Sequence, residues 1–239
     1  MTFQTARTAP QPPSSPPTAP PRVEISIAGL DPGFVPYDEG LRLQREAARR
    51  ARARDPERPS EARGTVLLLE HEPVYTAGRR ATPDEYPTDG SPVVAVDRGG
   101  RVTWHGPGQL VGYPVVVLRP GVGVVDFVRR LEGVLIDVSS EFGVCGYRVE
   151  GRTGVWARGA SGDEKYAQIG LHAKDRLMTH GFALNCSNSL EPFARFVPCG
   201  IADAGVASLS TLAGTAVTPS DVVPVLLPRL LAALEEVVA

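Results

Sequence analysis

Lysine is almost missing from this chain of 239 residues. Lys165 and Lys174 are the only two, and the other 23 basic residues are arginines. Each lysine is therefore a candidate for chemistry that needs an ammonium group. Cysteine is scarce as well: Cys145, Cys186 and Cys199 are odd in number and have neither staple nor zinc spacing. A disulfide framework and a structural zinc site are not expected, and reduced thiols are. No uninterrupted run of about 18 apolar residues occurs, so no membrane-spanning helix is expected. Charge of one sign is also lacking. With 25 basic against 27 acidic residues, the net charge of -2 makes no global case for a nucleic-acid partner. No Gly-x-Gly-x-x-Gly follows a strand and no Gly-Lys-Ser/Thr closes a loop, so neither a dinucleotide fold nor a Walker loop is supported.

The first 22 residues lack the apolar centre of a signal peptide and are rich in proline. A Pro-rich disordered tail over residues 1–22 is expected, followed by one folded domain over residues 23–239. The alternation of residues 23–28 predicts a strand. Residues 37–54 read as a helix with a modest apolar stripe and an arginine-rich outer side carrying Arg42, Arg45, Arg49, Arg50, Arg52 and Arg54. That side is either a solvated face or a patch that attracts an acidic partner. Residues 65–70, 92–96 and 110–118 read as strands. Pro114 inside the last argues for an edge or a bulge. Residues 125–142 form the clearest helix, with Val128, Leu131, Leu135, Val138 and Phe142 on one face and Arg129, Arg130, Glu132 and Asp137 on others.

Residues 147–149 and 153–157 read as a hairpin, 160–164 as a polar loop, and 166–172 and 181–186 as strands. A short helix is expected over 190–196. Thr218, Pro219 and Asp221 are a helix start. Pro224 and Pro228 predict a broken element whose longest piece is 228–237. Strands mixed with few helices, in hairpins as well as crossovers, point to an α+β (mixed α/β) fold with a largely antiparallel or mixed sheet flanked by helices.

The stretch 98–114 combines five glycines, two arginines, a histidine, a tryptophan and a glutamine between two apolar runs. Neither a core element nor a solvent loop needs that mixture. The glycines suggest a backbone passing close to something, and the polar groups suggest a ligand. Cys199, between Pro198 and Gly200, is the sharpest nucleophile candidate, with an inert buried thiol as the alternative. An ordinary thiol, with pKa about 8.5, is mostly protonated near neutrality and needs an activator. Lys165 is the candidate ammonium. Cys145 and Cys186 read as core thiols. His71, His105 and His180 would have to supply any metal site, and no close ligand pair supports one, so no metal is expected.

The segments 70–79, 98–114, 165–170, 180–185 and 198–201 jointly resemble the lipoyl(octanoyl) transferases, of the biotin/lipoate protein ligase superfamily. The likeness covers roughly residues 23–235, and Arg-Gly-Gly…Thr-Trp-His-Gly-Pro-Gly-Gln alone is already specific. It implies a biotin/lipoate protein ligase-like single domain. It implies that Cys199 carries an acyl thioester and that Lys165 lowers its pKa. Acyl and carrier binding fall on Arg98, Gly99, Gly100, Arg101, Val102, Thr103, Trp104 and His105, on Gln168, Ile169 and Gly170, and on Gly181, Phe182 and Ala183. His71, Gln109 and His180 are supporting candidates.

The implied reaction takes octanoyl from octanoyl-acyl carrier protein to a lysine of apo lipoyl domains, those of 2-oxoacid dehydrogenase complexes and the glycine cleavage H protein. It needs no metal, nucleotide or other cofactor. A cytoplasmic monomer without nucleic-acid or membrane partners is expected. An apolar tunnel with a polar mouth would suit the acyl chain, at about 0.8 kcal/mol for each buried CH₂. His172 stands where the family usually has arginine, and Ser189 where it usually has aspartate. The rivals are an ATP-dependent ligase, which needs no cysteine, and a non-catalytic binder, which forms no covalent intermediate.

Overall fold

The computed structural model describes residues 22–53, 63–159, 162–196 and 204–239. Residues 1–21 of the tail and residues 198–201, Cys199 among them, lie outside those, as does Arg54. Strand β1 (Val23–Gly29) is followed by α1 (Tyr37–Arg52), β2 (Gly64–Leu69), β3 (Val74–Ala77), β4 (Val93–Ala95), β5 (Val102–His105) and β6 (Gln109–Val117). Helix α2 (Val124–Ser140) leads to β7 (Tyr147–Val149), β8 (Arg152–Gly159), β9 (Gly162–Lys174) and β10 (Leu177–Asn185). A 3₁₀ turn over Glu191–Arg195, β11 (Gly205–Val206), α3 (Leu209–Ala213) and α4 (Pro219–Glu235) complete the chain.

The large sheet runs β1-β2-β6-β10-β9-β8-β7, with β11 paired to β9; a small sheet runs β4-β3-β5. Both are mixed: β1–β2, β9–β11 and β3–β4 are parallel and the remaining pairs antiparallel. The centre of the large sheet is apolar on both faces because helices cover both. Val66, Leu68, Leu110 and Val116 face the core built by α2 and α4, whereas Leu67, Leu69, Val111, Tyr113 and Val115 face α1. That alternation explains why β2 reads as an unbroken apolar run. No helix among the described residues is long and apolar enough to cross a membrane.

Several expectations need correction. Pro114 lies in a central strand, not at an edge. The β6–β10 ladder pairs Met178 with Val116 and Phe182 with Gly112, and nothing between them. His180, opposite Pro114 by that register, has φ 57° and donates its N–H to Gln44 Oε1 of α1 at 2.8 Å. The proline is tolerated because the neighbouring strand has already left the ladder there. Helix α4 is continuous through Pro224 and Pro228. Ser220, Pro224 and Pro228 lie on the exposed side, so the carbonyls that lose a partner face water, while Val222, Leu226, Leu230 and Leu234 pin the other side.

Residues 162–164, expected in a loop, are strand, because β8 and β9 extend into one hairpin. Val74–Ala77, not foreseen as a strand, is the centre of the small sheet. Glu132, placed on a charged helix face, is fully buried, and Cys145 is exposed rather than a core thiol. Cys186 is buried as expected, and burial pushes its thiol pKa up.

Candidate active site

A cavity of about 310 Å³ opens between the two sheets, where β5, the loop before it, β9, β10 and the β7–β8 turn converge. Its size is at the lower end for small-molecule clefts, about 300–1,000 Å³. The glycine-rich stretch supplies one wall. Strand periodicity divides Arg101 and β5: Arg101, Thr103 and His105 line the cavity. Val102 and Trp104 point the other way, into an apolar cluster with Tyr75, Phe193 and Phe196. Of the candidate binding residues, these two therefore stabilise the wall and do not line the cavity. Gly106–Gly108 carry the chain from the small sheet to the large one.

That crossing is held by a buried carboxylate. Glu70 accepts from the N–H of Asp31 at 3.0 Å and of Gly108 at 2.6 Å. Gly108 has φ 82°, and a Cβ there would meet the Asn188 backbone. Arg98 lines the cavity but spends its guanidinium on protein oxygens. Nη1 donates to Gly99 O and Arg101 O, and Nη2 to Thr76 O and Oγ1, all within 3.0 Å. It organises the loop that presents Gly99 and Gly100. Arg101 pairs with the buried Glu85 at 2.6 Å.

Strand β9 provides the opposite wall. Val155 pairs with Ala167, but the next residue, Trp156, pairs with Lys165, so β9 carries one extra residue. Tyr166 and Ala167 are consecutive and both lie in the core. Simple alternation would put Lys165 and Gln168 on opposite faces; the bulge puts both on the cavity. Lys165 is buried, and its Nζ lies 5.3 Å from the centroid of the Trp156 ring, a face that attracts a cation.

Beside Lys165 stands Gly154, with φ 115°. A Cβ on it would lie 2.5 Å from Lys165 Cε. Its N–H donates to Glu132 Oε1 at 3.0 Å, and Arg129 and Arg148 hold the other carboxylate oxygen. Neither Glu132 nor Gly154 was singled out from sequence. The only signal was an acid three residues after an arginine in a helix, which reads as a surface pair.

Gln168, Ile169 and Gly170, together with His180, Gly181, Phe182 and Ala183, continue the lining. Both side-chain amide atoms of Gln168 and the hydroxyl of Thr103 are buried without a hydrogen-bond partner. Leaving such groups unpaired costs about 1–3 kcal/mol each, a cost a ligand can remove. The lining is therefore more polar than the tunnel expected from sequence, with Arg98, Arg101, Thr103, His105 and Gln168 alongside Ile169 and Phe182.

The histidines in and behind this wall are bonded to protein groups. His71 is buried; its Nδ1–H donates to Val35 O at 2.8 Å, and its Nε2 accepts from Tyr113 Oη at 2.8 Å. Burial pushes its pKa down to about 4. Gln109 Nε2 donates to Trp104 O and Asn185 Oδ1, so its Oε1 accepts from His105 Nδ1 at 2.8 Å. Burial, with His71 nearby, takes His105 down to about 3. His71 and Gln109 thus sit behind the cavity, not on it. His180 lines the cavity and donates from Nε2 to Asp97 Oδ1 at 2.7 Å. His172 bonds Asp97 O at 3.0 Å through Nδ1. Lys174 is exposed, which leaves Lys165 as the buried lysine.

The architecture is that of the lipoate protein ligases. The bipartite lipoate protein ligase of Thermoplasma acidophilum superposes with a TM-score of 0.63 over 89% of this chain and 85% of that one, at 12% identity. A lipoate-protein ligase A bound with ATP gives 0.63 over the same shares, at 11% identity. The model of the lipoyl protein ligase A/B catalytic domain matches residues 36–231. Octanoyltransferases of Clavibacter sepedonicus and Acidothermus cellulolyticus are 54% and 51% identical, covering 89% and 83% of this chain and 91% and 87% of their own. The chain belongs to the lipoyl protein ligase A/B catalytic domain family and, within it, to the octanoyltransferases.

Proposed function

We propose that the protein moves an octanoyl group from octanoyl-acyl carrier protein to a lysine of apo lipoyl domains, by way of a thioester on Cys199. Membership of the octanoyltransferases sets the class of reaction as acyl transfer. The acceptors in this reading are the lipoyl domains of 2-oxoacid dehydrogenase complexes and the glycine cleavage H protein, and the setting is the cytoplasm. Residues 23–239 act as the catalytic domain, with residues 1–22 as a tail outside it.

The observation that carries the covalent reading is the placement of Lys165. It is buried on the cavity wall, and β11, which follows the cysteine segment, pairs with it through Val206. Five residues lie between Cys199 and Gly205, a separation of at most about 22 Å when extended. In this mechanism the Lys165 ammonium stabilises the Cys199 thiolate, which attacks the donor thioester as the carrier thiol leaves. An unprotonated acceptor lysine then attacks the acyl-enzyme, and Lys165 relays the proton. Arg98–Gly100, the cavity-facing residues of β5, Gln168–Gly170 and Gly181–Ala183 hold the acyl group. The donor is already activated, so the chemistry draws on neither a nucleotide nor a metal.

Intact-protein mass measurement after mixing with octanoyl-acyl carrier protein tests this. One octanoyl adduct is expected, removed by hydroxylamine, retained in Cys145→Ala and absent as a thioester in Cys199→Ser. Transfer that requires ATP, or that proceeds without any adduct, would overturn it.

A further inference from the structure

Gln168 presents an unused hydrogen-bonding fork to the cavity. It is 6% exposed, and neither Oε1 nor Nε2 has a partner. An interior amide normally finds partners, and one that lines a cavity without them is set for a ligand. Nor is its orientation incidental. Without the extra residue in β9, Gln168 would face the core and Lys165 the cavity; the bulge gives both the same wall. Gln168 and Lys165 therefore face the same cavity, where one bound group can meet both.

The fork has a donor and an acceptor on a single carbon. The acyl thioester offers it only a carbonyl oxygen, which takes Nε2–H and leaves Oε1 idle. The situation changes when the acceptor lysine attacks. The amine nitrogen bonds the carbonyl carbon as the C=O π pair moves to oxygen. One carbon then carries an oxyanion and an N–H-bearing nitrogen, the complement of the Gln168 fork. On collapse the C=O re-forms and the C–S bond breaks with its pair on sulfur. One N–H proton passes through Lys165 to that sulfur, leaving an amide and a thiol.

We propose that Gln168 is a catalytic residue of the amide-forming half-reaction, donating Nε2–H to the oxyanion and accepting from the attacking amine at Oε1. The second bond exists only in the transition state of aminolysis, so it favours amine over thiol as the acceptor of the acyl group. This rests on the thioester reading of the proposed function.

Octanoyl-enzyme prepared from Gln168→Met and from the wild type is mixed either with an apo lipoyl domain or with carrier-protein thiol, and single-turnover rates are read. Loss of one oxyanion donor slows both by about 100-fold. Loss of the acceptor slows aminolysis about tenfold further. Gln168→Glu keeps the acceptor and its shape but lacks the donor, so its thiolysis falls at least as far as that of Gln168→Met. The melting temperature of Gln168→Met should equal or exceed the wild type, because the amide it replaces has no partner in the fold. Equal losses in the two reactions, no loss in either, or a lowered melting temperature would overturn the assignment. Failure of the wild type itself to form an adduct while transferring octanoyl would instead overturn the thioester reading.

Discussion

Lys165 and Gln168 stand three residues apart on one strand yet face the same cavity, because β9 holds one residue more than β8 between them. A β-strand of regular pleat would separate them. The bulge is supported from behind. Glu132, fully buried, takes the N–H of Gly154, and Gly154 gives Lys165 room. A carboxylate on α2 thus helps place the ammonium on the opposite side of a strand.

Gly154→Ala should displace the ammonium. Its Cβ would press on Lys165 Cε and on the Ala167 carbonyl, at φ 115°. Strain of this kind costs about 1–3 kcal/mol, and each kcal/mol lowers the melting temperature of a domain this size by about 2–4 °C. Octanoyl transfer, measured well below that melting temperature, should fall at least tenfold. Wild-type transfer would show that Lys165 does not depend on this contact.

Lys165→Met should make the nucleophile harder to ionise. In a Cys145→Ala background, which removes the exposed thiol, the pH midpoint for alkylation of Cys199 should rise toward the ordinary thiol value of about 8.5. Transfer should fall by about 10²–10⁴-fold. An unmoved midpoint would assign the thiolate to another partner.

Stability should fall in mild acid. His71 and His105 are buried with pKa values lowered to about 4 and about 3. In the unfolded chain both titrate near 6.5, so the unfolded state binds more protons between those values and stability rises with pH there. Lowering the pH from 7 to 5 should cost about 2 kcal/mol for each histidine. Urea unfolding at the two pH values measures it, and His105→Gln should show a shallower dependence. Stability that does not change over this window would mean the rings are not buried neutral.

Gln44→Met should destabilise the fold by about 1–3 kcal/mol by stripping the His180 N–H of its acceptor. The loss should appear in chemical denaturation with little change in volume packed. No loss would mean that this N–H finds another acceptor where β10 leaves the ladder.

Much of the wall was legible beforehand because glycine-rich, arginine-bearing motifs are local. Within residues 98–105, Arg98–Arg101, Thr103 and His105 border the cavity, whereas Val102 and Trp104 turn away from it. Strand alternation alone could have separated Thr103 from Trp104. Glu132 was hidden for a different reason. Its i,i+3 arginine looks like a surface pair, and burial comes only when Arg148 and the Gly154 N–H arrive from the β7–β8 hairpin. Pro114 reads as an edge signal within its own strand, whereas the gap it needs belongs to β10.

By itself the sequence determined which residue types were present: two lysines, three cysteines, and the motifs that mark an acyl transferase. It also determined most strand and helix positions, since hydrophobic periodicity is set by neighbours along the chain. Only the tertiary structure decided which side each residue faces. One inserted residue in a strand reverses every side chain beyond it, and whether it is accommodated depends on a partner strand and a buried carboxylate far away in sequence. That is how Gln168 reaches the cavity beside Lys165.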